Sequence, residues 1–320
     1  MNTLPPRLQA LQSWLQNCWP HPLQNLRSAS ADASFRRYFR VDDSADGRSL
    51  VIMDAPPEHE DCRPFVRITA LLREAGIHAP EILAENIDQG FLLLEDLGDT
   101  TYLQRLPQQA DTLYSDAIDT LIRMQHIDAA LPAYDDTLLC NEMQLFEQWY
   151  CNTHLGIRLN TSQQTVLNDA MQMLIDSALA QPQVFVHRDY HSRNLMICDD
   201  NPGVIDYQDA VNGALTYDLV SLFKDCYIQW PRQRIEHWLE IYRQRSGMAM
   251  SSGQLLRWFD WMGVQRHLKV LGIFARLYHR DGKAQYLNDL PLTLNYVLDG
   301  CQRYDELHAL HALIRDISRS

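Results

Sequence analysis

Residues 184–209 read Val184-Phe185-Val186-His187-Arg188-Asp189-Tyr190-His191-Ser192-Arg193-Asn194-Leu195-Met196-Ile197-Cys198-Asp199-Asp200-Asn201-Pro202-Gly203-Val204-Ile205-Asp206-Tyr207-Gln208-Asp209. An apolar strand, Val184 to Val186, runs into a polar loop. A second apolar run, Leu195 to Ile197, leaves the loop and reaches Pro202-Gly203, a turn signal. Val204-Ile205 then ends on Asp206, so the last two strands read as a hairpin. This order predicts that Asp189, Asn194 and Asp206 stand on loops or strand ends close together.

Phosphoryl transfer uses such a trio. One Asp orients the acceptor hydroxyl and takes its proton, while an amide oxygen and a second carboxylate hold the Mg²⁺ that bridges the ATP phosphates. His187-Arg188-Asp189 and Asn194 reproduce the spacing of the kinase catalytic loop, and Asp206 follows downstream where the second metal-binding carboxylate is needed. A lone His-Arg-Asp is common and reads equally as a loop whose polar groups cap one another. Three elements in order, with a strand–turn–strand between them, point to the chemistry. Asp189 is the candidate base, and Asn194 and Asp206 are the candidate Mg²⁺ ligands.

His-x-Asp-x-x-x-x-Asn followed by Ile205-Asp206-Tyr207 resembles the aminoglycoside phosphotransferase and choline kinase superfamily, small-molecule relatives of the protein kinases. Within it, Asp32-Ala33-Ser34-Phe35-Arg36-Arg37-Tyr38-Phe39-Arg40-Val41 and Met53-Asp54-Ala55-Pro56-Pro57 are similar to a narrower set, the bacterial anomeric sugar kinases. Those phosphorylate N-acetylmuramate and N-acetylglucosamine at C1 in cell-wall recycling. The resemblance implies an α+β, protein-kinase-like bilobal fold, with a small antiparallel-sheet N-lobe over residues 1–96 and a mainly helical C-lobe over 97–320. It implies ATP and Mg²⁺ as cofactors, a small-molecule sugar as substrate, and a monomeric enzyme. It also leaves open an aminoglycoside or choline-like acceptor, or a nucleotide-binding pseudokinase.

Composition agrees with a soluble enzyme. The net charge of −13 repels nucleic acid and anionic lipid, so no nucleic-acid or membrane partner is expected. No basic-then-apolar leader and no bilayer-length apolar run is legible, and the seven cysteines form no C-x-x-C pair. A cytoplasmic protein with reduced thiols is the expectation.

In chain order, Leu8, Leu11, Trp14 and Leu15 predict a helix ending at Trp19-Pro20. Residues 24–55 predict three strands: one before a turn over Ser28–Ser34, one from Phe35 to Val41, and one from Ser49 to Met53. The first turn takes the place of the nucleotide-covering loop, with Ser34 as candidate phosphate contact. Kinases put a lysine on the third strand. Here the text is Val51-Ile52-Met53-Asp54, and the three lysines, Lys224, Lys269 and Lys283, all lie beyond the catalytic loop. Arg36, Arg37 and Arg40 stand on the neighbouring strand, and guanidinium binds phosphate bidentately. Arg37, which shares its face with aromatic residues, is the candidate replacement. A helix from Pro64 to Ala75 follows, with Glu60 or Glu74 as the acid that pairs an arginine. Gly90 to Gly98 reads as a buried strand entering a hinge, where Glu95 and Leu97 are the implied adenine contacts.

The remainder is helical in pattern, with segments at Asp111–Ile127, Asn141–Tyr150 and Gln164–Leu179. Further helices are predicted at Phe223–Trp230, Ile235–Tyr242, Leu255–Tyr278 and Leu292–Leu313. The resemblance makes Glu147 and Tyr150 candidate acceptor contacts; their spacing also fits an aromatic core stripe. Arg193 and Asp209 complete the candidate acceptor set, and Arg266, His267 and Arg276 are further cations for an acidic sugar. His187, Arg188 and Asp218 are the implied supports of the catalytic loop, Asp218 from a helix N-terminus.

Overall fold

A computed structural model describes residues 5–31 and 35–319; Ser34 lies outside the described residues. The chain runs α1 (Pro6–Cys18), β1 (Leu23–Ala31), β2 (Arg37–Asp43), β3 (Ser49–Asp54), α2 (Arg63–Glu74), β4 (Ile82–Asn86) and β5 (Phe91–Glu95). It continues through α3 (Tyr102–Gln125), α4 (Asp136–Leu145), a π-helical segment (Phe146–His154), α5 (Thr161–Leu179), β6 (Gln183–Val186), β7 (Leu195–Met196), β8 (Gly203–Val204) and β9 (Val211–Ala214). Helices α6 (Tyr217–Phe223), α7 (Arg232–Ser246), α8 (Ser252–His279), α9 (Leu290–Gln302) and α10 (His308–Ile317) complete it. No helix among the described residues is long and apolar enough to cross a membrane.

The chain divides into two compact units. The first takes the described residues up to Thr100 and also the hairpin segment Leu195–Asp209. Its five-stranded antiparallel sheet has the order β1-β2-β3-β5-β4. Side chains alternate across such a sheet, so Leu50 and Ile52 of β3 share one face. There they meet Val41, Phe91 and Leu93, and Leu11 and Leu15 of α1 close over them. Burial of each such side chain stabilises the fold by about 1.5–3 kcal/mol. The β2–β3 turn works because Gly47 takes φ +75°, which its missing Cβ permits. The hairpin predicted from Pro202-Gly203 is present, with Leu195 opposite Val204 and Met196 opposite Gly203.

The second unit, Thr101–Asn194 with the described residues from Ala210 on, is built around α8. This 28-residue helix is buried on most of its circumference, packing against α4, α5, α6 and α9. A helix buried nearly all round belongs at the centre of a helical domain, and the polar residues it buries, Asp260, Arg266, His267 and Lys269 among them, have partners there. Gly272 lets α4 come close: a Cβ there would lie 2.3 Å from the Leu145 carbonyl carbon. Paired side-chain caps start α3 at Thr101/Gln104 and α5 at Asn160/Gln163.

Several predicted boundaries are corrected. The first strand runs through Ser28 to Ala31, inside the span predicted as a turn, and the second starts at Arg37 instead of Phe35. Phe35 is exposed and stacks on His59 at 4.6 Å instead of entering the strand. Phe223–Trp230 is not a helix: α6 stops at Phe223, and the Asp225 carboxylate leaves helical geometry to hold Ser192 and the Tyr227 N–H. The predicted Leu292–Leu313 helix breaks at Tyr304, whose backbone is extended (φ −131°). Strand β9, with Asn212 and Gly213 in four residues, carries no strand signal and forms because β6 pairs with it.

Candidate active site

Strand β6 delivers the chain to His187, and the polar loop that follows is pinned by two carboxylates. Asp218, buried in the first turn of α6, accepts the His187 N–H at 2.7 Å and the Arg188 N–H at 3.0 Å. Burial pushes the Asp218 carboxyl up to about 7, against those two N–H groups, which favour its charged form. Asp225 accepts the Ser192 N–H at 3.0 Å. Arg188 sits at φ +77°, a conformation that costs a non-glycine residue about 1–3 kcal/mol. Its Asp218 bond and an ion pair with Glu142 hold it there. Inside the loop, the Asp189 carbonyl accepts the Asn194 side-chain N–H at 3.0 Å and the His191 N–H at 2.9 Å.

The Asp189 carboxylate, about half exposed, faces cations from α8. Arg266 Nη2 lies 3.8 Å from Asp189 Oδ1. Lys269, three residues further along the helix, places Nζ 3.0 Å from Glu142 Oε2 and 3.0 Å from the Tyr217 hydroxyl. Burial works to raise the Asp189 pKa, but Lys269, His191, Arg266 and His187 outweigh it and hold the carboxyl below its ordinary value. Asp189 is therefore a carboxylate at neutral pH, as a proton acceptor must be. Lys269 escaped the sequence reading. The available signal was a cation recurring three residues after Arg266 in a helix otherwise apolar on most faces. His267, a candidate acceptor contact, instead has both ring nitrogens on backbone carbonyls, of Gly263 at 2.6 Å and Lys224 at 2.8 Å.

In the other unit, Asp206 also sits in a left-handed conformation, φ +66°, and its Oδ1 accepts from Gln208 at 3.0 Å. Tyr207 is fully buried, with its ring on Phe65 (5.0 Å) and its hydroxyl 2.7 Å from Thr69 Oγ1. Asp206 thus follows β8 on a backbone anchored by the next residue. Carboxylate and amide oxygens are hard donors that suit Mg²⁺. Asn194 gives Nδ2 to the Asp189 carbonyl, and its amide carries an oxygen of the hard donor type as well. The donor types fit the metal, which uses few protein ligands beside phosphate oxygens and water.

The arginines of the first unit have distinct placements. Arg37 Nε donates to Asp54 at 3.1 Å, and Arg7 Nε donates to the same buried carboxylate at 2.7 Å. Where kinases carry the third-strand lysine, this chain thus carries a carboxylate closed by two arginines. Arg40 is bidentate on Asp96, at 2.8 and 3.1 Å. Arg36 pairs with Glu60 at 3.3 Å. Burial lowers the Arg36 pKa, but Tyr38, Glu60 and Asp206 outweigh it and raise it. Glu60, of the two acids considered, is the one at an arginine. Glu95 ends β5 with its carboxylate on His78 Nε2 (3.0 Å) and the Glu81 N–H (3.1 Å), and Leu97 is buried.

Of the candidate acceptor contacts, Arg193 lays its guanidinium on the Tyr227 ring at 3.4 Å. Asp209 Oδ2 receives a 3.3 Å bond from Gln208. Glu147 accepts from Gln164 at 3.1 Å. Tyr150 is buried between Phe146 and His154, with ring centroids at 5.5 and 5.7 Å. Glu147 and Tyr150 both lie on the π-helical segment; Glu147 is bonded to α5, and Tyr150 packs within its own segment and hydrogen-bonds Ser318 just past α10.

Comparison with known proteins fits this arrangement. The profile of the Phosphotransferase enzyme family matches residues 25–260. A Pseudomonas aeruginosa protein named N-acetylmuramate/N-acetylglucosamine kinase is 47% identical over 97% of this chain and 97% of its own length. A Neisseria meningitidis protein of the same name is 40% identical over 96% and 95%. Among solved structures, a choline kinase from Streptococcus pneumoniae superposes with TM-score 0.67 at 11% identity, covering 91% of this chain and 99% of that one. A putative aminoglycoside phosphotransferase from Ralstonia eutropha gives 0.63 at 14% identity, covering 95% and 98%. The chain belongs to the phosphotransferase enzyme family and has the α+β, protein-kinase-like fold of these neighbours.

Proposed function

We propose that the protein transfers the γ-phosphoryl group of ATP to the C1 hydroxyl of N-acetylmuramate or N-acetylglucosamine, as a monomeric cytoplasmic enzyme of cell-wall recycling. The observation that carries this reading is the 47% identity, over nearly the full length of both chains, to a protein named for that activity. In this reading Asp189 accepts the hydroxyl proton, and Asn194 and Asp206 hold the Mg²⁺ that offsets charge on the phosphates. An anomeric hydroxyl is more acidic than an ordinary alcohol, so a carboxylate with a low pKa suffices as the base. His187, Arg188 and Asp218 keep the loop in shape, and Glu95 and Leu97 offer backbone groups to adenine. Arg193 and Asp209 meet the sugar; Glu147 and Tyr150 act as the wall behind it.

Arg36 is the phosphate cation of the small unit in this proposal, in preference to Arg37. All three arginines pair with a carboxylate, Arg37 with Asp54, Arg40 with Asp96 and Arg36 with Glu60; Arg36 is distinguished by its proximity to the proposed metal ligand Asp206. That proximity supports an active enzyme over a pseudokinase. The test is ADP release from Mg-ATP with N-acetylmuramate, N-acetylglucosamine, glucose, choline and kanamycin. Turnover with the two N-acetyl sugars is expected; turnover with choline or kanamycin alone overturns the acceptor assignment.

A further inference from the structure

Helix α8 carries two buried cations beside Asp189, and they are used differently. Lys269 is fully engaged, by Glu142 and the Tyr217 hydroxyl. Arg266 is only 4% exposed, yet its contacts are long: Asp189 at 3.8 Å and the Cys226 sulfur at 4.0 Å. Its Nε has no hydrogen-bond partner among the described residues. The nearby Asp225 is spent on Ser192 and the Tyr227 N–H. A buried guanidinium is costly unless its donors are used, so a purely structural arginine here would be expected to close on a carboxylate. Arg37 and Arg40 do this elsewhere in the chain. Arg266 keeps its planar fork of donors beside the proposed base instead.

We propose that Arg266 is a catalytic residue that binds the phosphoryl group in flight, from the acceptor side. An acceptor oxygen must come within about 3 Å of the base that takes its proton. Donors that border the base's carboxylate then border the phosphorus that becomes bonded to that oxygen. In the step, the acceptor O–H bond breaks and its proton goes to Asp189. The oxygen–phosphorus bond forms as the bond to the ADP oxygen breaks, and the electron pair leaves with ADP. Negative charge spreads over the equatorial phosphoryl oxygens meanwhile, and a guanidinium matches two of them at once. A carboxylate on the sugar, several bonds from the reacting oxygen, is the other anion a guanidinium can bind, and the two differ in what they predict. The inference rests on the phosphotransfer reading and is independent of which acceptor is used.

The test compares R266M and R266K with wild type in four readouts. These are kcat and KM with each N-acetyl sugar, slow hydrolysis of Mg-ATP without acceptor, Mg-ADP affinity, and inhibition by Mg-ADP with aluminium fluoride, a mimic of the transferred group. For R266M, kcat with both sugars and acceptor-free hydrolysis should fall by about 10²–10³-fold, the usual cost of one transition-state donor. Fluoride-complex inhibition should weaken in parallel, with sugar KM and ADP affinity within threefold of wild type, and R266K should fall between. Three results overturn the proposal: kcat within threefold of wild type, a loss confined to KM for N-acetylmuramate, or loss of the cooperative melt in R266K as well as R266M. The second makes Arg266 a reader of the sugar carboxylate, and the third makes it a brace. If wild type turns over neither sugar, the acceptor assignment fails, while hydrolysis and fluoride inhibition still decide the role of Arg266.

Discussion

Asp189 has two kinds of neighbour, and they make separate predictions. Backbone bonds from Asp218 and within the loop fix its position, while Lys269 and Arg266 fix its charge. D189N keeps the loop bonds, which use the backbone carbonyl, and removes the base. We expect kcat to drop by about 10²–10⁴-fold, with Mg-ATP affinity unchanged in a calorimetric titration; retained turnover rules Asp189 out. Its depressed pKa places the acid limb of kcat/KM below the ordinary carboxylate value. K269M removes the first of the charges that lower it, so that limb should move up in pH. A pH profile that stays put shows that Lys269 serves the Glu142 network alone. At this scale the loop was legible because its spacing is local, Asp189 and Asn194 lying in one short segment. Of the α8 cations, Arg266 was picked out only as a charge for an acidic sugar and Lys269 was not picked out at all, since only the packing of a helix far along the chain brings them to Asp189.

At the scale of elements, α8 and the end of β5 carry the predictions. Adding a methyl group at Gly272 drives it into the Leu145 backbone, which cannot rotate away. G272A should lower the denaturation free energy by about 1–3 kcal/mol in urea, as overpacked cores do; an unchanged midpoint contradicts the close α4–α8 contact. At the end of β5, partial burial lowers the His78 pKa, but the Asp200 carbonyl and Glu95 outweigh it and raise it above 6.5. A histidine whose folded pKa is raised stabilises fully below its unfolded value and loses that contribution as pH rises through the folded one. Thermal stability should therefore fall as pH climbs above 6.5, and H78Q should flatten the slope over that window. An identical slope in H78Q assigns the pH dependence to other groups. Long apolar helices such as α8 were legible from their period, as was the Pro202-Gly203 hairpin. Strand β9 and the loop after Phe223 were not, because pairing with β6 and the bonds of Asp225 decide them, and neither leaves a local signal.

For the whole molecule, alternation, turn signals and helical period marked most strands and helices, while their grouping into a sheet lobe and a helical lobe came from the family resemblance. Assignment of Leu195–Asp209 to the first unit was not legible, because that segment leaves the catalytic loop as if to continue the helical unit. The sequence carries no lysine before Lys224, and Arg37 was the replacement it offered. The structure shows the charge redistributed: Arg7 and Arg37 close on Asp54, Arg36 pairs with Glu60, and Arg266 and Lys269 attend Asp189. These placements support an active phosphotransferase, whose proposed product is an anomeric sugar phosphate. The most direct test is the product of wild-type enzyme with Mg-ATP and N-acetylmuramate, examined by phosphorus–proton correlation NMR. A cross-peak from phosphorus to the sugar H1, absent with D189N, is the result this account predicts. Phosphorus correlated with any other sugar proton, or ATP left intact by wild-type enzyme, contradicts it.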